Sequence, residues 1–218
     1  MKLSTPSAGV CRCCPRLSLF LDEVKLAHPE YHAAPVAPFG PAGSGFLIVG
    51  LAPGMHGANR TGRPFTGDHA GILLYESLYK FGFATQSQSL NESGNADANL
   101  HLINCRVTNA VRCLPPQNKP ETREVIECNH YLASELALVP DGGAVLALGA
   151  IAHHAVLRAQ QLRKADYVFS HGAQHLMPSG LTLFDSYHCS RYNTQTRRLT
   201  TAMFESVISS VVAHLEPG

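Results

Sequence analysis

The sequence predicts an α/β fold: a single domain over residues 1–218 with a central, mainly parallel sheet of four strands flanked by helices. The chain has 218 residues, of which 45% are hydrophobic, and this is enough apolar material for one sizeable core. Short apolar runs alternate with amphipathic stretches, which is typical of a parallel sheet covered on both faces. The segments richest in polar side chains directly follow these runs, where such sheets bind their ligands.

Four short apolar runs predict the strands. The first, FLIVG, is apolar throughout and closes with glycine, so both of its faces are expected to be buried. Helical segments separate most of these runs along the chain, which favours parallel pairing. The predicted strands cover residues 46–50, 102–108, 144–149 and 181–187.

Amphipathic stretches before, between and after these runs predict the helices. Pro120 stands just before the third of them and two glycines follow it, and these are ordinary start and stop signals. The predicted helices cover residues 15–27, 72–83, 121–139, 151–161 and 196–214. Residues 86–99 are rich in Ser, Asn and Gly and predict a surface loop, and residues 1–10 are expected to be a loose N-terminal segment.

The composition narrows the class of protein. Seventeen Lys and Arg residues against 16 Asp and Glu residues give a net charge of +1, so bulk charge does not indicate a nucleic-acid binder. A local basic patch would still be enough for one. No apolar run approaches the ~20 residues that span a bilayer, and no apolar signal core precedes the first cysteines. We therefore expect a cytoplasmic, monomeric protein with no membrane partner.

Four of the seven cysteines form a candidate metal site. Cys11 and Cys14 make a C-x-x-C pair, and Cys113 and Cys128 are fourteen residues apart. An odd number of cysteines argues against a disulfide framework, whereas four thiolates bind Zn²⁺ or a [4Fe–4S] cluster. Only one pair is closely spaced, which favours the cluster. Four unrelated buried thiols remain the alternative.

The segment after the first strand, GLAPGMHGANRTGRPFTGDHAG, is a candidate binding loop. Its glycines let backbone amides approach a ligand closely, but no Gly-Lys-Ser/Thr follows, so it is not a P-loop. Phe65 is either a stacking platform for a planar ligand or a core residue. Asp68 is either a functional carboxylate or the cap of the following helix. Arg60 and Arg63 are candidates for phosphate contacts.

The segment after the last strand, SYHCSRYNTQTRRLT, is the second candidate. His188 follows the strand directly. Arg191, Arg197 and Arg198 come after it, with no acidic residue from Ser186 to Met203. The segment is either a local basic patch suited to phosphates or an ordinary solvated helix start.

Both loop motifs and the four cysteines together resemble the family 5 (type b) uracil-DNA glycosylases, an iron–sulfur branch of the uracil-DNA glycosylase superfamily. The resemblance runs from Cys11 to about Phe204. It implies a DNA repair enzyme that flips out uracil, and in some members other deaminated bases, and hydrolyses the N-glycosidic bond to leave an abasic site. It also implies uracil-containing DNA as the partner and a structural [4Fe–4S] cluster on Cys11, Cys14, Cys113 and Cys128.

The resemblance implies three groups of site residues. In the catalytic group, Asp68 positions water, His188 faces uracil O2 and Asn118 is a second polar residue. In the base-binding group, Phe65 stacks on the flipped base. The rest of that group is Asn109, Ala52 and Gly54. The DNA-binding group consists of Arg60, Arg63, Arg191, Tyr192 and Asn193.

Two positions depart from the family pattern. Cys189 stands where many superfamily members have proline, and we assign it no catalytic role. Asn109 stands where family 5 members often have a small residue and family 4 members have an asparagine that reads the uracil edge. Three alternatives stay open: a glycosylase mainly for hypoxanthine, a protein that binds uracil-containing DNA without turnover, and a zinc or iron–sulfur module with structural interactions only.

Overall fold

The computed structural model describes residues 11–216, so the expectation of a loose segment at residues 1–10 lies outside the described residues. In the described part of the chain, one sheet of five strands has the order β2-β1-β3-β5-β4. The strands are β1 Phe46–Gly50, β2 Cys105–Asn109, β3 Ala144–Leu148, β4 Gln174–Leu176 and β5 Thr182–Ser186. All pairings are parallel except that of β4 with β5.

The α/β prediction is confirmed, with a correction of the strand number from four to five. The additional strand, β4, has only three residues and lies at an edge, antiparallel to β5. Its sequence, Gln-His-Leu, has no apolar run to indicate a strand. The predicted second strand also began too early, because Leu102 forms an isolated bridge with Ala84 before β2 starts at Cys105.

The five predicted helices are present, and two short ones lie in segments predicted as loops. The helices are α1 Pro15–Ala27, α2 Ala58–Thr61, α3 His69–Lys80, α4 Thr122–Leu136, α5 Ala150–Ala159, α6 Arg191–Gln195 and α7 Thr201–Leu215. Capping explains the boundaries that differ from prediction. The Asp68 side chain accepts from the Gly71 amide and starts α3, and the Thr200 side chain accepts from the Met203 amide and starts α7.

Two apolar layers cover the sheet. Phe46 and Ile48 of β1 point to the layer that contains α3 and α7, whereas Leu47 and Val49 point to the layer that contains α4 and α5. All four side chains are fully buried. This alternation explains why a strand buried on both faces is apolar at every position.

The carboxyl ends of the parallel strands bring the candidate loops together. Gly50 at the end of β1 pairs with Asn109 at the end of β2, and β5 ends at Ser186 on the same side of the sheet. The glycine-rich loop, the segment after β2 and the segment after β5 therefore meet at the end of the sheet where the parallel strands finish. Among the described residues, no helix combines the length and apolar character needed to cross a membrane.

Candidate active site

A cleft of about 440 Å³ opens at the carboxyl ends of the parallel strands. Its volume is within the range of ~300–1,000 Å³ that is typical of ligand pockets. It brings together six of the predicted site residues, and they come from all three loops. Its lining is Leu51, Ala52, Gly54, Asp68, His69, Ala70, Asn118, His188, Ser190 and Arg191.

Phe65 and Asn109 lie close together beside this cleft and are almost completely buried, at 5% and 6% exposure. Both pack against Gly50. A Cβ atom there would collide with the Asn109 amide oxygen and would lie 2.5 Å from the Phe65 ring. Phe65 also has a left-handed backbone, with φ +54°, and this conformation is costly for a bulky residue. Strain of this kind is typical of functional sites.

His188 lies next to Phe65, and the two ring centroids are 6.1 Å apart with planes inclined by 28°. A planar ligand between two rings needs ~7 Å, twice the ~3.5 Å contact distance. The two rings are therefore too close together to sandwich a base between them. Burial lowers the pKa of His188 to about 4. At neutral pH the imidazole is uncharged and offers one N–H donor.

Asp68 both caps α3 and lines the cleft, so its two predicted roles are compatible. Oδ1 accepts a hydrogen bond from the Gly71 amide at 3.0 Å. Oδ2 packs against Gly54 and Gly57, and a Cβ atom at Gly57 would lie 2.6 Å from it. Burial raises the pKa of Asp68, opposed by the amides of Gly71 and Ala70. The carboxyl group is therefore held in a partly desolvated position.

The predicted DNA-binding residues separate into two groups. On α6, Arg191 lines the cleft and the Tyr192 side chain is 70% exposed. Asn193 instead donates from Nδ2 to the His188 carbonyl at 2.8 Å, so its side chain holds the backbone of the histidine.

Asn118, the third predicted catalytic residue, lies in a 3₁₀ turn at the rim of the cleft and has a left-handed backbone with φ +56°.

Arg60 and Arg63 are engaged within the protein. Arg60 donates to the carbonyls of His56 and Gly94. Arg63 is half-buried, lies over the Phe39 ring at 4.8 Å and donates to the carbonyls of Ser89 and Asp97. Neither lines the cleft. Their donors attach the loop of residues 86–99 to the glycine-rich loop, and phosphate contact by them stays a prediction.

The four predicted metal ligands lie in one cluster with Leu17, Val111 and Tyr131. Cys14 precedes α1, Cys113 follows β2 and Cys128 lies in α4. Burial raises the pKa of Cys113 to about 12, with further contributions from the thiols of Cys128, Cys11 and Cys14. The sulfurs therefore share one site, and four sulfur donors suit zinc or an iron–sulfur cluster.

The surroundings of this cluster also fit a bound group. The Arg112 amide donates to Cys128 Sγ at 3.4 Å, a contact typical of metal-bound sulfur. Arg16 of α1 forms a bidentate ion pair with Glu124 of α4, in which Nε and Nη2 donate to the two carboxylate oxygens at 2.8 and 2.7 Å. This ion pair holds the C-x-x-C segment in place. Of the remaining cysteines, Cys105 and Cys189 are buried in the core, whereas Cys13 is exposed beside the cluster, with its thiol in contact with that of Cys11.

Sequence reasoning missed a buried polar group beneath β5. Asp185 accepts from His153 Nδ1 at 2.8 Å and from His175 Nε2 at 3.2 Å. His153 Nε2 lies 3.0 Å from the Tyr167 carbonyl. These hydrogen bonds satisfy all three side chains, although two histidines and a carboxylate could also hold a metal ion. An aspartate within an apolar run was the signal, because a buried carboxylate requires partners.

The fold and the cleft define an α/β protein with a ligand-sized pocket where the parallel strands end. Residues 37–211 match the uracil DNA glycosylase superfamily. The chain is 44% identical over 203 residues to the type-5 uracil-DNA glycosylase of Thermus thermophilus, covering 91% of this chain and 90% of that protein. The type-5 enzyme of Mycobacterium leprae is 39% identical over 209 residues, with 91% and 89% covered.

A type-4 uracil-DNA glycosylase of Thermotoga maritima matches only 49% of this chain and 45% of its own length, at 34% identity. The chain therefore belongs to the uracil DNA glycosylase superfamily and, within it, to the type-5 uracil-DNA glycosylases. The resemblance seen in the sequence is confirmed.

Proposed function

We propose that this protein excises uracil from DNA by hydrolysing the bond between the base and its sugar. One observation carries the proposal: Asp68 and the neutral, half-buried His188 line the same cleft from two different loops. Membership of the type-5 family supports it, because the relatives bear the name of this activity.

Base recognition is assigned to Phe65 and Asn109. The target nucleotide must leave the helical stack, which costs a few kcal/mol. Stacking of the base on an aromatic side chain such as Phe65 offsets ~1–3 kcal/mol of this cost. The Asn109 amide oxygen is buried and has no hydrogen-bond partner within residues 11–216. Uracil offers N3–H as a donor and O4 as an acceptor, so a side-chain amide satisfies both. Cytosine has the opposite polarity and would leave buried groups unpaired, at a cost of ~1–3 kcal/mol.

Bond cleavage is assigned to His188 and Asp68. As the bond breaks, the base becomes an anion and the sugar becomes an oxocarbenium-like cation. A neutral imidazole N–H at uracil O2 would stabilise the anion, and one such donor is worth ~2.7–4 kcal/mol. The Asp68 carboxylate would stabilise the cation and position the attacking water. The products are free uracil and an abasic site, and no metal takes part in these steps.

The four clustered cysteines are proposed to hold a [4Fe–4S] group, with zinc as the alternative that the same donors would accept. When bound, the cluster would cross-link the segment before α1 to the segment after β2 and to the middle of α4. Iron and acid-labile sulfide counts on anaerobically purified protein separate the two: about four of each per chain supports the cluster, whereas zinc without sulfide contradicts it.

DNA is the proposed partner, and a single chain is the proposed active unit. In the described residues the apolar layers cover a single sheet, which supports one domain. We also propose that residues 1–218 act as one domain.

The decisive assay uses matched duplexes that carry uracil, hypoxanthine or thymine opposite guanine, followed by alkaline cleavage of abasic sites. We expect uracil to react fastest. The cleft volume leaves room for a purine, which makes hypoxanthine the second candidate. Faster release of hypoxanthine would replace the proposed substrate. Tight binding of the uracil duplex without strand cleavage would indicate a binding protein.

A further inference from the structure

A hydrogen bond joins two of the loops that line the cleft. His69 Nε2 lies 2.9 Å from Thr194 Oγ1, although the residues are 125 positions apart. His69 is the first residue of α3 and directly follows Asp68. Thr194 lies in α6, the short helix that carries the exposed Tyr192. The contact therefore connects the segment of the proposed carboxylate with the helix that faces DNA.

The direction of this hydrogen bond follows from the surroundings of Thr194. Its Oγ1 lies 3.2 Å from the Ser190 carbonyl and 3.1 Å from the Arg191 carbonyl. A hydroxyl group has one proton to donate, and these carbonyls can only accept it. Oγ1 is therefore the acceptor from His69, and the donor is the Nε2–H group of the imidazole.

A second hydrogen bond continues the connection to His188. The Asn193 side chain donates to the His188 carbonyl at 2.8 Å. The two contacts, together with the backbone between their residues, link Asp68 to His188. Without them α6 is a helix of five residues, which is too short to be stable by itself.

We propose that His69 and Thr194 form a latch that fixes α6 against α3. The latch holds the exposed face of α6 in place against duplex DNA. His69 and Thr194 are thus positioning residues for the proposed uracil excision, on which this inference rests. A duplex substrate requires that α6 be held while the base leaves the stack, whereas a single strand has no opposing base to displace. Loss of the latch should therefore affect duplex DNA more strongly.

The test compares single-turnover uracil excision from a duplex and from the same strand alone. Thr194→Val removes the acceptor and keeps the shape of the side chain. Thr196→Val is the matched control, because the Thr196 hydroxyl also bonds a carbonyl within the α6 segment, at 2.7 Å from Tyr192, but is not part of the latch. His69→Ala removes the donor, and His69→Gln restores an N–H group. Thermal unfolding and iron content of each variant report whether the fold is kept.

We expect Thr194→Val and His69→Ala each to lower the duplex rate by about 3- to 10-fold, the value of one ordinary hydrogen bond. The single-strand rate should change less, Thr196→Val should match the wild type, and His69→Gln should recover part of the loss. The double variant should be no slower than the slower single variant, because both changes break the same bond.

Three results would overturn the latch and leave the proposed function standing. These are equal duplex rates for Thr194→Val and Thr196→Val, equal losses on both substrates, and losses that multiply in the double variant. If His69→Ala lowers the duplex rate and Thr194→Val does not, His69 acts through the electrostatic environment of Asp68 rather than through the latch. If the wild-type chain releases no uracil from either substrate, both the proposed function and the latch are wrong.

Discussion

Asp68→Asn separates the two roles that the structure gives to Asp68. Asparagine caps a helix as well as aspartate does, so the hydrogen bond from the Gly71 amide can be kept. The substitution removes only the negative charge. Loss of one electrostatic contribution of ~2.7–4 kcal/mol at a transition state lowers the rate by about 10²- to 10³-fold. We therefore expect single-turnover uracil excision to fall by this factor while DNA binding is retained.

Asp68→Asn should not lower the stability of the protein, although it lowers the activity. Because burial raises the pKa of Asp68, the folded protein holds this proton more tightly than the unfolded chain does. The contribution of Asp68 to stability is then fully present at low pH and is lost as pH rises from the unfolded pKa of ~3.9 through the raised folded pKa. At neutral pH the ionised group destabilises the fold, and Asp68→Asn removes that cost. Denaturant unfolding at pH 7 should show an unchanged or higher free energy.

Asp68→Ala is the matched comparison. It loses the cap as well as the charge, so it should be ~0.5–2 kcal/mol less stable than Asp68→Asn and should lose as much activity. Full activity in Asp68→Asn would refute the catalytic assignment and leave Asp68 as a helix cap. Equal loss of stability in both variants would show that the desolvation argument is wrong.

Three further predictions concern other parts of the site. Cys128→Ser should lose iron and thermal stability together, whereas Cys189→Ser should keep its iron; iron loss from Cys189→Ser alone would contradict the ligand assignment. Asn109→Ala should lower uracil excision by about 5- to 150-fold and hypoxanthine excision by less, measured on matched duplexes; equal losses would remove Asn109 from the base readers. Gly50→Ala should abolish uracil excision, because its methyl group would collide with Phe65 and Asn109; a wild-type rate would show that this contact is not part of the pocket.

The parts of the fold that could be predicted from the sequence are those with a local signal. β1 is apolar at every position because both of its faces are buried, and its predicted bounds match the structure. α1 begins at Pro15, a residue suited to the first turn of a helix. β4 has no such signal, and α6 has the weak one of a Ser190 cap. Both are short, and they owe their conformation to β5 and to contacts with distant loops.

The same distinction applies to the candidate site. Phe65, Asp68 and His188 stood out because each lies in a distinctive motif directly after a strand. The roles of Asn193, Arg63 and His69 depend on which distant group each side chain meets, and a single sequence does not contain this information. Asn193 is a predicted DNA contact whose side chain also holds the His188 carbonyl. Arg63 is a predicted phosphate contact that also donates to carbonyls of the loop at residues 86–99. Both DNA contacts stay predictions.

These tertiary contacts indicate how the site keeps its geometry. Its main groups lie on loops, and loops are ordinarily the least rigid parts of a fold. Here Gly50 lets Phe65 and Asn109 meet at the end of β1, the cap fixes Asp68 on α3, and Asn193 fixes His188. Each functional group is thus attached to a helix or a strand by a contact that does not itself touch the base. Substitutions at these supporting contacts should therefore change the excision rate more than the affinity for the base, since they alter alignment rather than recognition.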